Sequence, residues 1–141
     1  MKRVLIDTDV ILDFFIDRQP FSENASKILS LCENRIISGY VTPVILSNTY
    51  YILRQIASHH KVIAKLNQLL SITDVLTMDK SVVINALNSD FRDFEDALQN
   101  FTATKKGNID VIITRNVKDF KTSEIGVLTP ESYVRTVNAR R

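Results

Sequence analysis

The segment Arg3-Val4-Leu5-Ile6-Asp7 decides the fold class of this chain. Its apolar run is short and unbroken, which is typical of a strand buried on both faces of a parallel sheet. Ligands of open parallel sheets bind in the crevice outside the carboxyl ends of the strands. We therefore expect an α/β fold in which Asp7 presents a carboxylate at that edge of the sheet.

Strand and helix patterns alternate along the rest of the chain. Further strands are predicted at 36–37 with 40–42, around a turn near Gly39, and at 73–76, 109–114 and 127–128. Helical spacing and capping residues predict helices near 10–15, 22–32, 43–56, 59–70, 79–87 and 93–107, and from 130 onward. This alternation predicts an α/β architecture with a mainly parallel sheet of four to five strands flanked by helices.

Length and composition predict one soluble domain over residues 1–141. The chain is 45% hydrophobic and 24% charged, which is ordinary for a globular protein. The single cysteine, Cys32, excludes an internal disulfide and fits a reducing compartment. No run approaches the ~18 apolar residues of a membrane span. Asp7, Asp9 and Asp13 interrupt the apolar stretch after the first residues, so a signal peptide is not expected. We expect a cytoplasmic protein without a membrane association.

Acidic residues recur where strands end or helices begin. Asp7 and Asp9 follow the first strand, 93–96 contains three acids, and Asp119 follows the apolar run 111–114. Carboxylates gathered at one edge of a sheet repel one another unless a cation neutralises them. Oxygen-rich sites of this kind suit Mg²⁺ or Mn²⁺. The pattern predicts a metal-dependent hydrolase that acts on phosphate esters.

The same acids also have structural explanations. Asp7 could cap the following helix, since Asp is a favoured N-cap residue. Asp93, Glu95 and Asp96 at a helix start would each complement the helix dipole by roughly 0.3–1 kcal/mol. Three acids in four positions are more than a dipole needs. Because neighbours on a helix differ by about 100°, we expect only one of Glu95 and Asp96 to point squarely at a site.

The segment after the strand at 109–114 adds polar and basic candidates. Asp119 is a candidate metal ligand, and Thr114 and Asn116, with Asp9, could hydrogen-bond ligands or metal-bound waters. Arg115 and Lys118 could hold a substrate phosphate, although the net charge of +2 does not by itself indicate a nucleic-acid binder.

Three segments of the chain, taken in order, resemble the PIN-domain ribonucleases and especially the VapC-like toxins of prokaryotic toxin–antitoxin pairs. The segments are 4–13 (VLIDTDVILD), 93–99 (DFEDALQ) and 112–120 (IITRNVKDF). The resemblance implies a Rossmann-like, three-layer fold, an acidic Mg²⁺/Mn²⁺ site and cleavage of single-stranded RNA. It also implies a homodimer and inhibition by an antitoxin protein. By position, Asp7, Asp96 and Asp119 become the metal-site acids, with Glu95 or Asp93 as helpers.

One position departs from that family pattern. The family places a Glu on the helix after the second strand, and Asn48 occupies this position here. An amide can orient a water or bind a metal weakly through its oxygen, but it neutralises no charge. We therefore expect Asn48 at the catalytic site, in a subgroup whose metal affinity or rate is lowered.

Two alternatives remain open. A haloacid-dehalogenase-like phosphatase would use 7–9 (DTD) as its nucleophile and acid, but it needs a later Lys and an acidic pair after the last core strand. The chain offers only 114–116 (TRN) there, with Asp119 displaced. A catalytically degenerate PIN domain that binds RNA or a protein partner is favoured by Asn48. Phe14, Phe15 and Phe21 could be buried in a dimer, receive an antitoxin, or belong to the core.

Overall fold

The computed structural model describes residues 1–140, without the side chain of Lys106. The strands are β1 (Arg3–Ile6), β2 (Ser38–Val41), β3 (Thr73–Val75), β4 (Val111–Ile113) and β5 (Gly126–Leu128). The helices are α1 (Thr8–Phe15), α2 (Ser22–Glu33), α3 (Pro43–Leu53), α4 (His59–Leu70), α5 (Lys80–Leu87), α6 (Phe94–Phe101) and α7 (Pro130–Arg140). A π-helical segment, Thr102–Lys106, continues α6, and a 3₁₀ turn, Val117–Phe120, follows β4. None of the described helices is long and apolar enough to cross a bilayer.

The five strands form one parallel sheet in the order β3-β2-β1-β4-β5. The α/β class, the parallel sheet and the flanking helices were predicted correctly. β1 is central, and its Ile6 pairs with Ile113 of β4. The next residues, Asp7 and Thr114, therefore leave the sheet side by side at the carboxyl edge.

The unbroken apolar run of β1 is explained by its position. Val4, Leu5 and Ile6 are fully buried because the strand is covered on both faces. They belong to a main apolar cluster that also takes residues from α1, α2 and α7. A smaller cluster joins α5 to α6 through Val82, Ala86, Ala97 and Leu98, and so fixes the helix that carries the acids of 93–96.

Side-chain caps fix several helix starts near the carboxyl edge. Thr42 accepts a hydrogen bond from the Ile45 amide at 3.1 Å and begins α3, with proline at the first helical position. Asp93 accepts one from the Asp96 amide at 2.9 Å and begins α6. Because these caps set where each helix starts, they also set which residues of the helix face the sheet edge.

Several predicted assignments are wrong. Residues 36–37, predicted as strand, lie before β2, which begins at Ser38. Gly39 lies inside β2 and not in a turn, since it pairs with Val4 and Thr73 on its two sides. Helix α3 ends at Leu53, before Ile56. The α-helical part of the helix predicted over 93–107 ends at Phe101, and the chain continues as the π-helical segment.

Candidate active site

Asp7 lies at the junction of β1 and α1, and its side chain is 8% exposed. Its Oδ1 accepts a hydrogen bond from the Thr8 amide at 2.8 Å, and its Oδ2 accepts one from the Thr114 hydroxyl at 2.9 Å. It is thus the N-cap of α1, as one of the two explanations of this residue predicted. The cap does not exclude a site role, because the same carboxylate also interacts electrostatically with Asp9, Glu95 and Asp96.

Asp9 is held by the segment that follows β4. Its Oδ2 accepts the Arg115 amide at 2.9 Å and lies 3.4 Å from both the Thr114 hydroxyl and the Asn116 side-chain amide. Its Oδ1 is buried and has no hydrogen-bond partner. Thr114 and Asn116 therefore lie beside the two β1-edge carboxylates, and one carboxylate oxygen is left unsatisfied.

The two acids in the first turn of α6, Glu95 and Asp96, have different surroundings. Asp96 lines a cleft of about 550 Å³ together with Asp93 and Asp119, whereas Glu95 accepts a hydrogen bond from the Asn48 side chain. Repulsion from Glu95 nevertheless contributes to the electrostatics of both Asp7 and Asp96. Both acids therefore affect the electrostatics of the site, but of the two it is Asp96 that lines the cleft.

Basic residues share the cleft with these acids. Its lining consists of Asp90, Phe91, Arg92, Asp93, Asp96, Lys118, Asp119, Lys121 and Thr122. Three cations thus stand beside Asp96 and Asp119. A cleft with carboxylates and basic residues together can accept an anionic chain whose phosphates meet the cations.

Burial and mutual repulsion raise the pKa values of the site carboxyls. Burial, and then repulsion from Asp9, raise the pKa of Asp7 to about 7. Burial, followed by repulsion from Asp93, Asp7 and Asp119, raises the pKa of Asp96 to about 7. The pKa of Asp9 is also raised by burial. At neutral pH Asp7 and Asp96 therefore retain part of their protons, and a cation nearby would favour their ionised forms.

The donor set fits a hard divalent cation in kind and in charge. Asp7, Asp96 and Asp119 offer carboxylate oxygens, which Mg²⁺ and Mn²⁺ prefer. In residues 1–140, no three acidic, histidine or cysteine side chains are already grouped so as to hold a metal ion. The three carboxylates therefore do not form a ready-made metal site, and a bound cation would offset the repulsion that helps to raise the pKa values of Asp7 and Asp96.

Residues 3–118 match the family model described as PIN domain. The chain belongs to the PIN domain family. This assignment confirms the resemblance drawn from the three sequence segments. It gives no support to the haloacid-dehalogenase interpretation, which used Asp7 and Asp9 as nucleophile and acid.

Relatives of this PIN domain span nearly its whole length. It is 27% identical to Ribonuclease VapC1 of Aquifex aeolicus (strain VF5), over 97% of this chain and 96% of that protein. The structure of FitAB bound to an IR36 DNA fragment matches with a TM-score of 0.69 at 16% identity, over 90% of this chain and 94% of the other. VapBC2 from Rickettsia felis, bound to a promoter DNA fragment, matches with a TM-score of 0.63 at 15% identity, covering 89% and 96%. At these identities the two structures show the fold alone.

Asn48 of this PIN domain lies at the edge of the acidic site. It is half-buried on α3. Burial, and then repulsion from Asp93, raise the pKa of Glu95, and the hydrogen bond from Asn48 opposes part of that rise. The expectation that Asn48 projects toward the acids agrees with this contact. Its role in catalysis stays a prediction.

Arg115, which the sequence predicted to hold a substrate phosphate, binds a buried carboxylate of its own chain. Its guanidinium binds the fully buried carboxylate of Asp13 through two hydrogen bonds, Nε–Oδ2 at 2.6 Å and Nη2–Oδ1 at 3.1 Å, and stacks 4.0 Å from the centre of the Phe21 ring. Its guanidinium therefore already has a buried anionic partner, and of the two residues predicted to bind phosphate it is Lys118 that lines the cleft. The phosphate role of both residues stays a prediction. Asp13, the buried partner of Arg115, was not among the residues predicted from the sequence. Its position one helical turn after Asp9, on the same face of α1, was the available signal.

Proposed function

We propose that this protein is a Mg²⁺/Mn²⁺-dependent endoribonuclease that cleaves single-stranded RNA. The observation that carries the proposal is the mutual repulsion of Asp96 with Asp7 and Asp119, which come from three separate segments, beside a cleft that Asp96 and Asp119 line together with three basic residues. Membership of the PIN domain family and similarity to a protein named Ribonuclease VapC1 support it.

In this proposal each residue has a separate role that follows from its position. Asp7, Asp96 and Asp119 would hold the metal, which when bound supplies an activated water and stabilises developing charge on the phosphate. Thr114 orients Asp7 by its hydrogen bond, and Lys118 is placed to bind an RNA phosphate. Asp93 fixes the start of α6 and thereby the direction of Asp96.

Cleavage of a fluorogenic single-stranded RNA in Mn²⁺ tests this function. Asp7→Asn should abolish cleavage and leave the fold intact, because it removes a metal-site charge while an amide can still cap α1. EDTA should have the same effect on the wild type. The control Glu124→Gln removes an exposed carboxylate outside the cleft and should cleave normally. Equal activity of Asp7→Asn and wild type, with no effect of EDTA, would reject the proposal.

A degenerate PIN domain that binds RNA without cleaving it is the second candidate. Two observations favour it: Asn48 in place of a carboxylate, and the absence, among the described residues, of an acidic group already arranged for a metal. RNA binding that survives Asp7→Asn, with no Mn²⁺-dependent cleavage by the wild type, would establish this candidate instead.

We also propose that the protein acts in the cytoplasm as the toxin of a toxin–antitoxin pair and forms a homodimer. Similarity to a VapC and the fold shared with VapBC structures support the proposal.

Phe14 is 40% exposed on α1, while Phe15 packs against the core. Light scattering across a concentration series tests the dimer, which a monomer throughout would exclude. Co-purification with the product of an adjacent gene tests the antitoxin.

A further inference from the structure

The segment 114–116 is attached to α1 at several points. Thr114 donates a hydrogen bond to Asp7, and the Asn116 side chain lies 3.4 Å from Asp9. Arg115 lies between them and is attached twice. Its backbone amide donates a hydrogen bond to Asp9, and its guanidinium donates two hydrogen bonds to the carboxylate of Asp13. Asp9 and Asp13 are one helical turn apart, so a single residue binds both along one face of α1.

The Asp13 contact is the deepest of these attachments. Asp13 is 0% exposed, whereas the Arg115 side chain is 25% exposed. A paired hydrogen bond between guanidinium and carboxylate fixes orientation as well as distance. The Phe21 ring, 4.0 Å from the guanidinium carbon, restricts the remaining rotation of the Arg115 side chain.

We infer that Arg115 is a positioning residue, whose ion pair with Asp13 locks the segment 114–116 onto α1 and thereby orients the carboxylates of Asp7 and Asp9 toward the metal site. The inference rests on the proposed function. It gives Arg115 no contact with RNA. Partners of metal ligands typically contribute about 10–100-fold to metal affinity or activity, and we expect an effect of that size here.

A second arginine provides a matched control. Arg18 also pairs with Asp13, with its Nη1 3.4 Å from Oδ1, but it belongs to the turn after α1, and within residues 1–140 its side chain has no hydrogen bond or ion pair with the segment 114–116. Removing either arginine leaves the other to neutralise the buried carboxylate. Of the two, only removal of the Arg115 side chain breaks the attachment of the segment 114–116 to Asp13.

The experiment compares Arg115→Ala with Arg18→Ala in the full chain. Arg115→Ala should weaken Mn²⁺ binding, measured by calorimetry, and lower kcat for single-stranded RNA, each by about 10–100-fold, with KM for RNA within about twofold of wild type. Arg18→Ala should leave all three unchanged. A raised KM with unchanged Mn²⁺ affinity in Arg115→Ala would show that Arg115 binds the RNA, and would overturn the inference.

Two further variants separate positioning from stability. Arg115→Lys keeps the charge but loses the fork, so it should recover Mn²⁺ affinity only in part. The double variant Asp13→Leu/Arg115→Leu replaces the pair by apolar groups, an exchange that often preserves stability. If that variant regains the unfolding free energy and also the Mn²⁺ affinity of the wild type, the ion pair is merely structural and the inference is wrong.

A metal-independent readout keeps this test distinct from that of the proposed function. Hydrogen exchange of the amide at position 115, which is bonded to Asp9, should accelerate at least tenfold in Arg115→Ala and stay unchanged in Arg18→Ala. If wild type neither cleaves RNA nor binds Mn²⁺, the proposed function fails while this comparison still decides the attachment. Unchanged exchange in Arg115→Ala would overturn the inference by itself.

Discussion

Asn48 shows how one amide alters the balance of charge at the acidic site. Its side chain donates a hydrogen bond to Glu95 and so favours the ionised form of that carboxyl. A carboxylate at the same position would face Glu95 without a donor between them. It would add both a hard oxygen ligand and a negative charge that a cation can neutralise.

Asn48→Glu should therefore tighten Mn²⁺ binding by about tenfold and lower metal-free stability by about 1–2 kcal/mol, because one more acid repels its neighbours. Calorimetric titration with Mn²⁺ and urea unfolding measure the two effects. The control Asn67→Glu makes the same change on an exposed position of α4 and should alter neither. Indistinguishable Mn²⁺ affinities of Asn48→Glu and wild type would place Asn48 outside the metal site.

At the scale of elements, β2 depends on a glycine for its contact with α2. A Cβ added to Gly39 would collide with Cys32 Sγ and lie 3.3 Å from Thr73 Cγ2. The sequence pattern predicted a turn at this glycine, which lies inside β2. Its actual role is close approach of a helix to a buried strand, which the local pattern does not distinguish from a turn.

Gly39→Ala should destabilise the protein by about 1–3 kcal/mol, because the overpacked strand must displace α2 or Cys32. Thermal or urea unfolding measures the loss. Gly126→Ala in β5 is the matched control, since its new Cβ would lie 3.8 Å from Asp110 O and Val111 Cγ2, which is ordinary van der Waals contact. Adding Cys32→Ala to Gly39→Ala should restore part of the stability. A Gly39→Ala variant as stable as Gly126→Ala would contradict the close contact.

For the molecule as a whole, the sequence predicted the features that depend on residues close together in the chain. Patterns of a few residues each predicted the apolar strand β1, the helix starts at Asp79 and Asp93, and the acids that follow strands. The pairing of Asp13 with Arg115, 102 positions apart, was not, because β1 and β4 become neighbours only through the strand order. The phosphate role predicted for Arg115 rested on its charge, and the buried partner from another segment could not be read from the sequence.

The pH dependence of stability is another property of the whole molecule that follows from the site. The pKa of Asp7 is raised from 3.8 to about 7 in the folded state, mainly by burial and by repulsion from Asp9. Between pH 4 and 7 the unfolded chain therefore releases this proton while the folded protein retains it. Stability without metal should fall as pH rises through this window and level off above about pH 7.

The loss attributable to Asp7 should be on the order of 2–4 kcal/mol. Asp96, whose pKa is also raised to about 7, adds less because it is partly exposed and solvent screens its charge. Urea unfolding in EDTA from pH 4 to 8 measures the slope, which Asp7→Asn should flatten and Glu124→Gln should leave intact. Mn²⁺ competes with the proton, so it should stabilise the wild type strongly at pH 8 and hardly at pH 5. Equal slopes for Asp7→Asn and wild type would show that Asp7 ionises normally in the folded protein, and the electrostatic case for a cation at this site would fail with it.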